Sequence, residues 1–331
     1  MIVNSYANAL GSRKFDTLGE YAQDFLRYVE KSRTFFPDEH QRHWFIFTIE
    51  SYWRNVFLSK TSGKSKKKPS KDHARVERLL AQDHARWSRY PAMEHLGSAY
   101  GREVIKTYAK ELSNLKAKFL KENSMHEDVG TGLTATVEKM FSQKWFAPED
   151  RSFVVFAGLG EAEAFPGVID FQIGSVAAGK LRYCQCDEAR ITVQDSAFIA
   201  PFAQSNVIDL FYKGIAPEVE ERLCEMVGKT VARKLEVSGI QGGRKAIQSV
   251  QREIRKNLAK EIEAAYSAPQ VAALDPLGGD SLADAAETLV ALTVLRKHLS
   301  MDEQETVGGK VDVAVLSKGC GFRWVKRHSG H

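Results

Sequence analysis

The chain has 331 residues, 43% of them apolar and 27% charged, with a net charge of +5 and four cysteines. This is the balance of an ordinary globular protein with room for one large domain or two smaller ones, and the modest charge gives no argument for nucleic acid. No apolar stretch approaches the roughly 20 residues of a membrane helix. The first residues, MIVNSYANALGSRK, lack a basic start and a long apolar centre, so a cytoplasmic setting is expected.

Residues 1–150 read as helical. Asp16-Thr17-Leu18-Gly19-Glu20 offers an Asp or Thr cap with an acid in the first turn, which predicts a helix to about Ser32. Pro37 and Asp38 open a second helix, with Phe45, Ile49, Trp53 and Phe57 at four-residue spacing on one face. SKTSGKSKKKPSKDH (59–73) carries six lysines with Ser, Gly and Pro, and is expected to be a flexible loop. Its lysines could meet phosphate, but it lacks the interleaved aromatics of a base-stacking platform, so nucleic acid is not expected. One long helix is predicted over about 98–122, with Val104, Tyr108, Leu112, Leu115 and Phe119 in a stripe, and another over about 132–146.

From residue 151 the period changes. SFVVFAGLG (152–160), FPGVIDFQIGSV (165–176) and KLRYCQCDEARITV (180–193) read as a meander, with Ala178-Gly179 as one turn. A short helix follows at 206–214, with Ser205 as cap and Gly214 as stop. Helices are then predicted at about 217–237, 244–266 and 281–300, the last expected to pack on a sheet face. Gly308-Gly309 introduces the strand VDVAVL, the turn SKGCG and a final strand FRWVKR, in which Trp324 suits packing or an interface. The expected division is therefore a helical region, 1–150, and a sheet-and-helix region, 151–331.

Glycine tolerates positive φ and close backbone approach, so a pair where a helix returns to a sheet makes a sharp turn at little cost. The whole order of elements is more specific. SMDEQETVGGKVDVAVLSKGCGFRWVKR (300–327), SFVVFAGLGEAEAFPGVIDFQIG (152–174) and DSAFIAPFAQSNVIDLFYKGI (195–215) resemble the C-terminal half of the proteasome and related N-terminal nucleophile hydrolases. The likeness covers about 151–327 and is greatest to a bacterial branch of poorly defined function. It implies an α/β (α+β) fold, an αββα sandwich, here N-terminally incomplete and with 1–150 as a large helical insertion.

The resemblance also implies amide-bond hydrolysis through an acyl-enzyme, in an oligomer, with a peptide or protein substrate and no cofactor. The nucleophile would be an N-terminal Thr, Ser or Cys, whose α-amine, with an ordinary pKa of about 7.7–8.0, acts as base. Residues 1 and 2 are Met and Ile. On this resemblance the opening strands and the nucleophile are expected to be missing, and the protein to be inactive as written. The supporting residues it implies are Asp302, Thr306 and Ser205, with Gly308 and Gly309 as the structural turn. A non-catalytic scaffold or assembly protein is the alternative, and a nucleic-acid-associated helical protein a more remote one. A sandwich short of strands exposes edges and apolar surface, so reliance on partners is expected.

The remaining constellations are weaker. Cys184, Cys186, Cys224 and Cys320 show no CxxC pairing with histidines, so no zinc site is expected. Glu161 and Glu163 read as solvated glutamates in a turn, His40 and His43 as a solvated pair. Gly239, Gly242 and Gly243 lack the strand and the GK[ST] of a phosphate loop.

Overall fold

The computed structural model describes residues 2–58, 73–123, 125–146, 151–202, 206–237, 244–299 and 309–328. The fold mixes helix and sheet, as the sequence predicts, and forms two compact units, Met1–Ala189 and Arg190–His331. The lysine-rich run 59–72 and the turn 238–243 lie outside the described residues.

The first unit opens with α1 (Ile2–Leu10), α2 (Leu18–Lys31) and α3 (Asp38–Leu58). Thr17 and Glu20 close a reciprocal capping box: Oγ1 of Thr17 accepts from the Glu20 N–H at 3.2 Å, and the Glu20 carboxylate accepts from the Thr17 N–H at 3.1 Å. The stripe read from α3 is inward, with Phe45, Ile49 and Trp53 buried. It meets α4 (His73–Trp87), α5 (Tyr100–Thr107), α6 (Ala109–Glu122) and α7 (Val129–Ser142) in one aromatic-rich core.

The single helix expected over 98–122 is two. Tyr108 leaves the helical basin at φ −110°, ψ 31°. Its ring stacks on Phe45 at 4.5 Å and its hydroxyl accepts from the Ala178 N–H at 3.0 Å. These tertiary contacts outweigh the local periodicity, and every apolar position of the predicted stripe is still buried.

Strands β1 (Ser152–Gly158), β2 (Gly167–Ala177) and β3 (Lys180–Arg190) form the expected meander, with β1 and β2 antiparallel from Ser152↔Ile173 to Gly158↔Gly167. Ala178 and Gly179, at φ 50° and 76°, make the two-residue turn that the twist of adjacent strands favours. Ile169, Phe171 and Ile173 point to one side, where they join Phe25, Leu26 and Val29 of α2 in a second core. This packing explains why the compact unit ends at 189 although the period changes at 151: the apolar face of the sheet is covered by an N-terminal helix.

The β1–β2 loop fastens that helix. The Glu163 carboxylate accepts from Leu18 N–H at 2.9 Å and Gly160 N–H at 2.7 Å, while Glu161 N–H and Ala162 N–H donate to the carbonyls of Phe15 and Asp16. Glu161 also pairs with Lys14 at 3.1 Å. The expectation of two solvated glutamates is thus corrected for Glu163, which is half-buried and satisfies an N–H of the first turn of α2.

His95 gives this unit a pH dependence. Its ring stacks on Tyr183 at 3.8 Å and Nε2 donates to the Leu181 carbonyl at 3.1 Å. Burial is the largest cause holding it below the ordinary 6.5, with Lys144 and Arg182 adding to the depression and the Leu181 bond and Glu30 opposing it. A base with a depressed folded pKa is fully stabilising above its unfolded value. The fold should therefore lose stability as pH falls below 6.5 toward the lower folded value. The slope contributed is at most about 1.4 kcal/mol per pH unit for one proton. Urea midpoints across that window should flatten in His95→Gln, and an unchanged slope would assign the pH dependence elsewhere.

In the second unit α8 (Asn206–Lys213) ends at Gly214, φ 65°, as expected. Helices α9 (Pro217–Val237) and α10 (Arg244–Ile262) pack on each other, Gln251 donating to the Cys224 carbonyl at 3.3 Å. The helix predicted to stop near 266 instead widens into a π segment, Glu263–Ser267, and continues as α11 (Ala268–Ala272). The wider turn sets Ser267 and Gln270 to donate to the carbonyls of Tyr212 and Phe211 at the end of α8. Helix α12 (Gly279–Leu299) packs on α8 and on a hairpin of β4 (Val313–Ser317) and β5 (Gly321–Lys326).

Candidate functional site, the open face of the C-terminal hairpin

The residues expected from the resemblance are placed unevenly. Ser205, Asp302, Thr306 and Gly308 lie outside the described residues. Gly309 is described, at φ 93°, a left-handed conformation that suits glycine just ahead of a strand. The chain then enters the predicted hairpin, whose turn places Gly321 at φ 67° and lets the Cys320 N–H donate to Ser317 Oγ at 3.1 Å. Asp312 closes the open end. It accepts from the His328 N–H at 2.7 Å, and that bond is the main cause holding its carboxyl below the usual range.

The register fixes which side chains share a face. Ser317 pairs with Gly321, Leu316 with Phe322, Val315 with Arg323 and Ala314 with Trp324, but Val313 pairs with Lys326. Val325 is therefore the extra residue of a bulge, which turns Lys326 to the same side as Arg323. Both cations face α12, Arg323 pairing with Asp280 and Lys326 with Glu287. Val313 is buried on this side, and Val315 meets α12 at Gly279.

The other face carries Ala314, Leu316, Phe322 and Trp324. Phe322 is 58% exposed and Trp324 46%, their rings edge to face at 5.2 Å. The Arg327 guanidinium lies 5.2 Å from the Trp324 ring. A two-stranded sheet is marginal alone, and one with apolar side chains on both faces is built to be covered twice. Among the described residues of this unit one cover is present, α12, and the aromatic face is open.

Other groups have local explanations. Tyr52 donates to the buried Asp83 and accepts from Arg86 at 2.8 Å and Trp87 at 2.6 Å, a network that ties α3 to α4. Burial pushes the Cys184 thiol up to about 11 and raises Cys186 as well, which keeps both protonated and weakly nucleophilic at neutral pH. His40 and His43 are exposed on α3. Among the described residues no group of three or more His, Cys, Asp or Glu could hold a metal ion, and no helix is long and apolar enough to cross a membrane.

Comparisons with protein-family models, with curated proteins and with solved structures found no match to this chain. The alternation of FRWVKR was the signal available for the open face, since it sets Phe322 and Trp324 on one side. The bulge that pairs Arg323 and Lys326 with α12 carried no signal.

Proposed function

We propose that this protein is a non-catalytic assembly subunit, and that α12 with the β4–β5 hairpin is one helix-and-sheet half of an αββα sandwich of the N-terminal nucleophile hydrolase type. A partner chain supplies the second sheet. The observation that carries the reading is the uncovered face of Leu316, Phe322 and Trp324, opposite a face already packed on α12. Sheets that stack face to face sit about 10 Å apart and interdigitate such side chains. A cytoplasmic setting belongs to this reading.

A photo-crosslinking residue at Phe322 in the full chain tests it. The expected product is an adduct to a second polypeptide, reduced when Trp324 is also replaced by Ser. An adduct within the same chain, or none, would overturn it. The same preparation, assayed on fluorogenic peptides, addresses the amide-hydrolase reading, in which Asp302, Thr306 and Ser205 would support catalysis. That reading draws on the helix, glycine and hairpin order around Gly309, and turnover would favour it over assembly.

A further inference from the structure

Helix α12 reads GDSLADAAETLVALTVLRKHL, its leucines, valines and alanines spread around the axis among acidic and basic side chains. Of these residues only Ala283 and Thr293 are buried. The hairpin and α8 take one side. The opposite side carries Ser281, Ala285, Thr288, Leu292, Leu295 and Leu299, at alternating spacings of four and three. That is the heptad seam of a two-helix coiled coil. Leu295 is 54% exposed and Leu299 73%.

The seam is graded. Its N-terminal half is small, Ser, Ala and Thr, and its C-terminal half is leucine throughout. Asp280 and Glu287 are taken up by Arg323 and Lys326 of the hairpin, so the grading of the seam is one of size. A parallel neighbour would stack leucine on leucine. An antiparallel one matches every position: Ser281 meets Leu299, Ala285 meets Leu295, and Thr288 meets Leu292, about a two-fold axis at Val290. Large side chains then fall against small ones.

We infer that this protein forms a two-fold homodimer through an antiparallel pairing of α12 with the α12 of a second copy. The surface is separate from the open hairpin face, so the two proposals stand or fall independently. Sedimentation of the full chain should show a dimer at micromolar concentration, weakened tenfold or more by Leu295→Glu, a solvent-facing change that leaves the circular dichroism of the fold intact. Oxidation of a mixture of Ala285→Cys and Leu295→Cys chains should give the mixed crosslink in excess of either symmetric one, whereas parallel pairing would favour the symmetric products. A monomeric wild type, or a dimer indifferent to Leu295→Glu, would overturn the inference. A dimer lost instead in Trp324→Ser would transfer self-association to the hairpin face.

Discussion

Replacing Arg182 with alanine is expected to cost the first unit about 2–4 kcal/mol, from the loss of a charged donor to buried carbonyls together with a core void. Arg182 projects from β3 and is 1% exposed. Its Nη2 donates to the carbonyls of Trp145 at 2.9 Å, Met140 at 3.2 Å and Gln143 at 3.5 Å. The rings of Phe141 and Phe146 lie 5.1 and 5.4 Å from the guanidinium. Helix α7 ends at Ser142, so these carbonyls belong to its last turn and the residues beyond, where no intrahelical donor exists. One guanidinium therefore caps a helix from inside the core and suits the negative end of its dipole. Truncation takes this donor from the Met140 and Trp145 carbonyls, while the Gln143 carbonyl keeps the Trp145 N–H, and leaves a void between two phenyl rings. Urea unfolding would read the loss. Arg182→Met, which keeps much of the packing volume, should recover only a minor part. A loss below about 1 kcal/mol in Arg182→Ala would mean that water replaces the donor and the carbonyls are not held by the arginine.

The second large effect is expected at Gly160. A Cβ there would stand 2.1 Å from the Asp16 carbonyl oxygen and 2.4 Å from Thr17 Cα, and both neighbours are backbone. Gly160→Ala must therefore push the β1–β2 loop off the start of α2 and break the Glu163 bonds to Leu18 and Gly160 together. A destabilisation of about 2–4 kcal/mol follows from overpacking plus lost hydrogen bonds. In a unit of this size, about 2–4 °C in Tm accompanies each kcal/mol. Glu163→Gln keeps the shape and weakens the acceptor, so it should cost less than Gly160→Ala. Equal melting of Gly160→Ala and wild type would show that the loop has room the structure does not contain.

The parts legible in the sequence were those set by local chemistry. Asp16, Thr17 and Glu20 announce a capped helix start, of which the structure selects Thr17, and Phe45, Ile49 and Trp53 announce the buried side of α3. The alternation around Asp170 and Gln172 gives the faces of β2, and Ala178-Gly179 gives its turn. What stayed hidden depends on groups far apart in the chain. The break at Tyr108 answers to Phe45 and Ala178, and the π segment at Glu263–Ser267 answers to the end of α8. Arg182 stands in a stretch the sequence reads as strand, with nothing local to call for a buried arginine, and is buried because α7 ends beside it. The candidate site was half legible. Trp324 stands out in the sequence as a packing or interface residue, while the bulge at Val325 and the seam of α12 emerge only once the hairpin's position on the helix is known.

The clasp of Glu163 on Leu18 joins residues 145 positions apart. Its consequence is temporal. A chain made at roughly 5–20 residues per second reaches residue 163 many seconds after residue 18 has appeared. Throughout that interval α2 has neither its sheet nor its carboxylate, and Phe25, Leu26 and Val29 have only near neighbours in sequence, such as Tyr6, to pack against. The helix thus spends the interval with an apolar side that its own strands do not yet cover, the window in which a holding chaperone or a protease would find it.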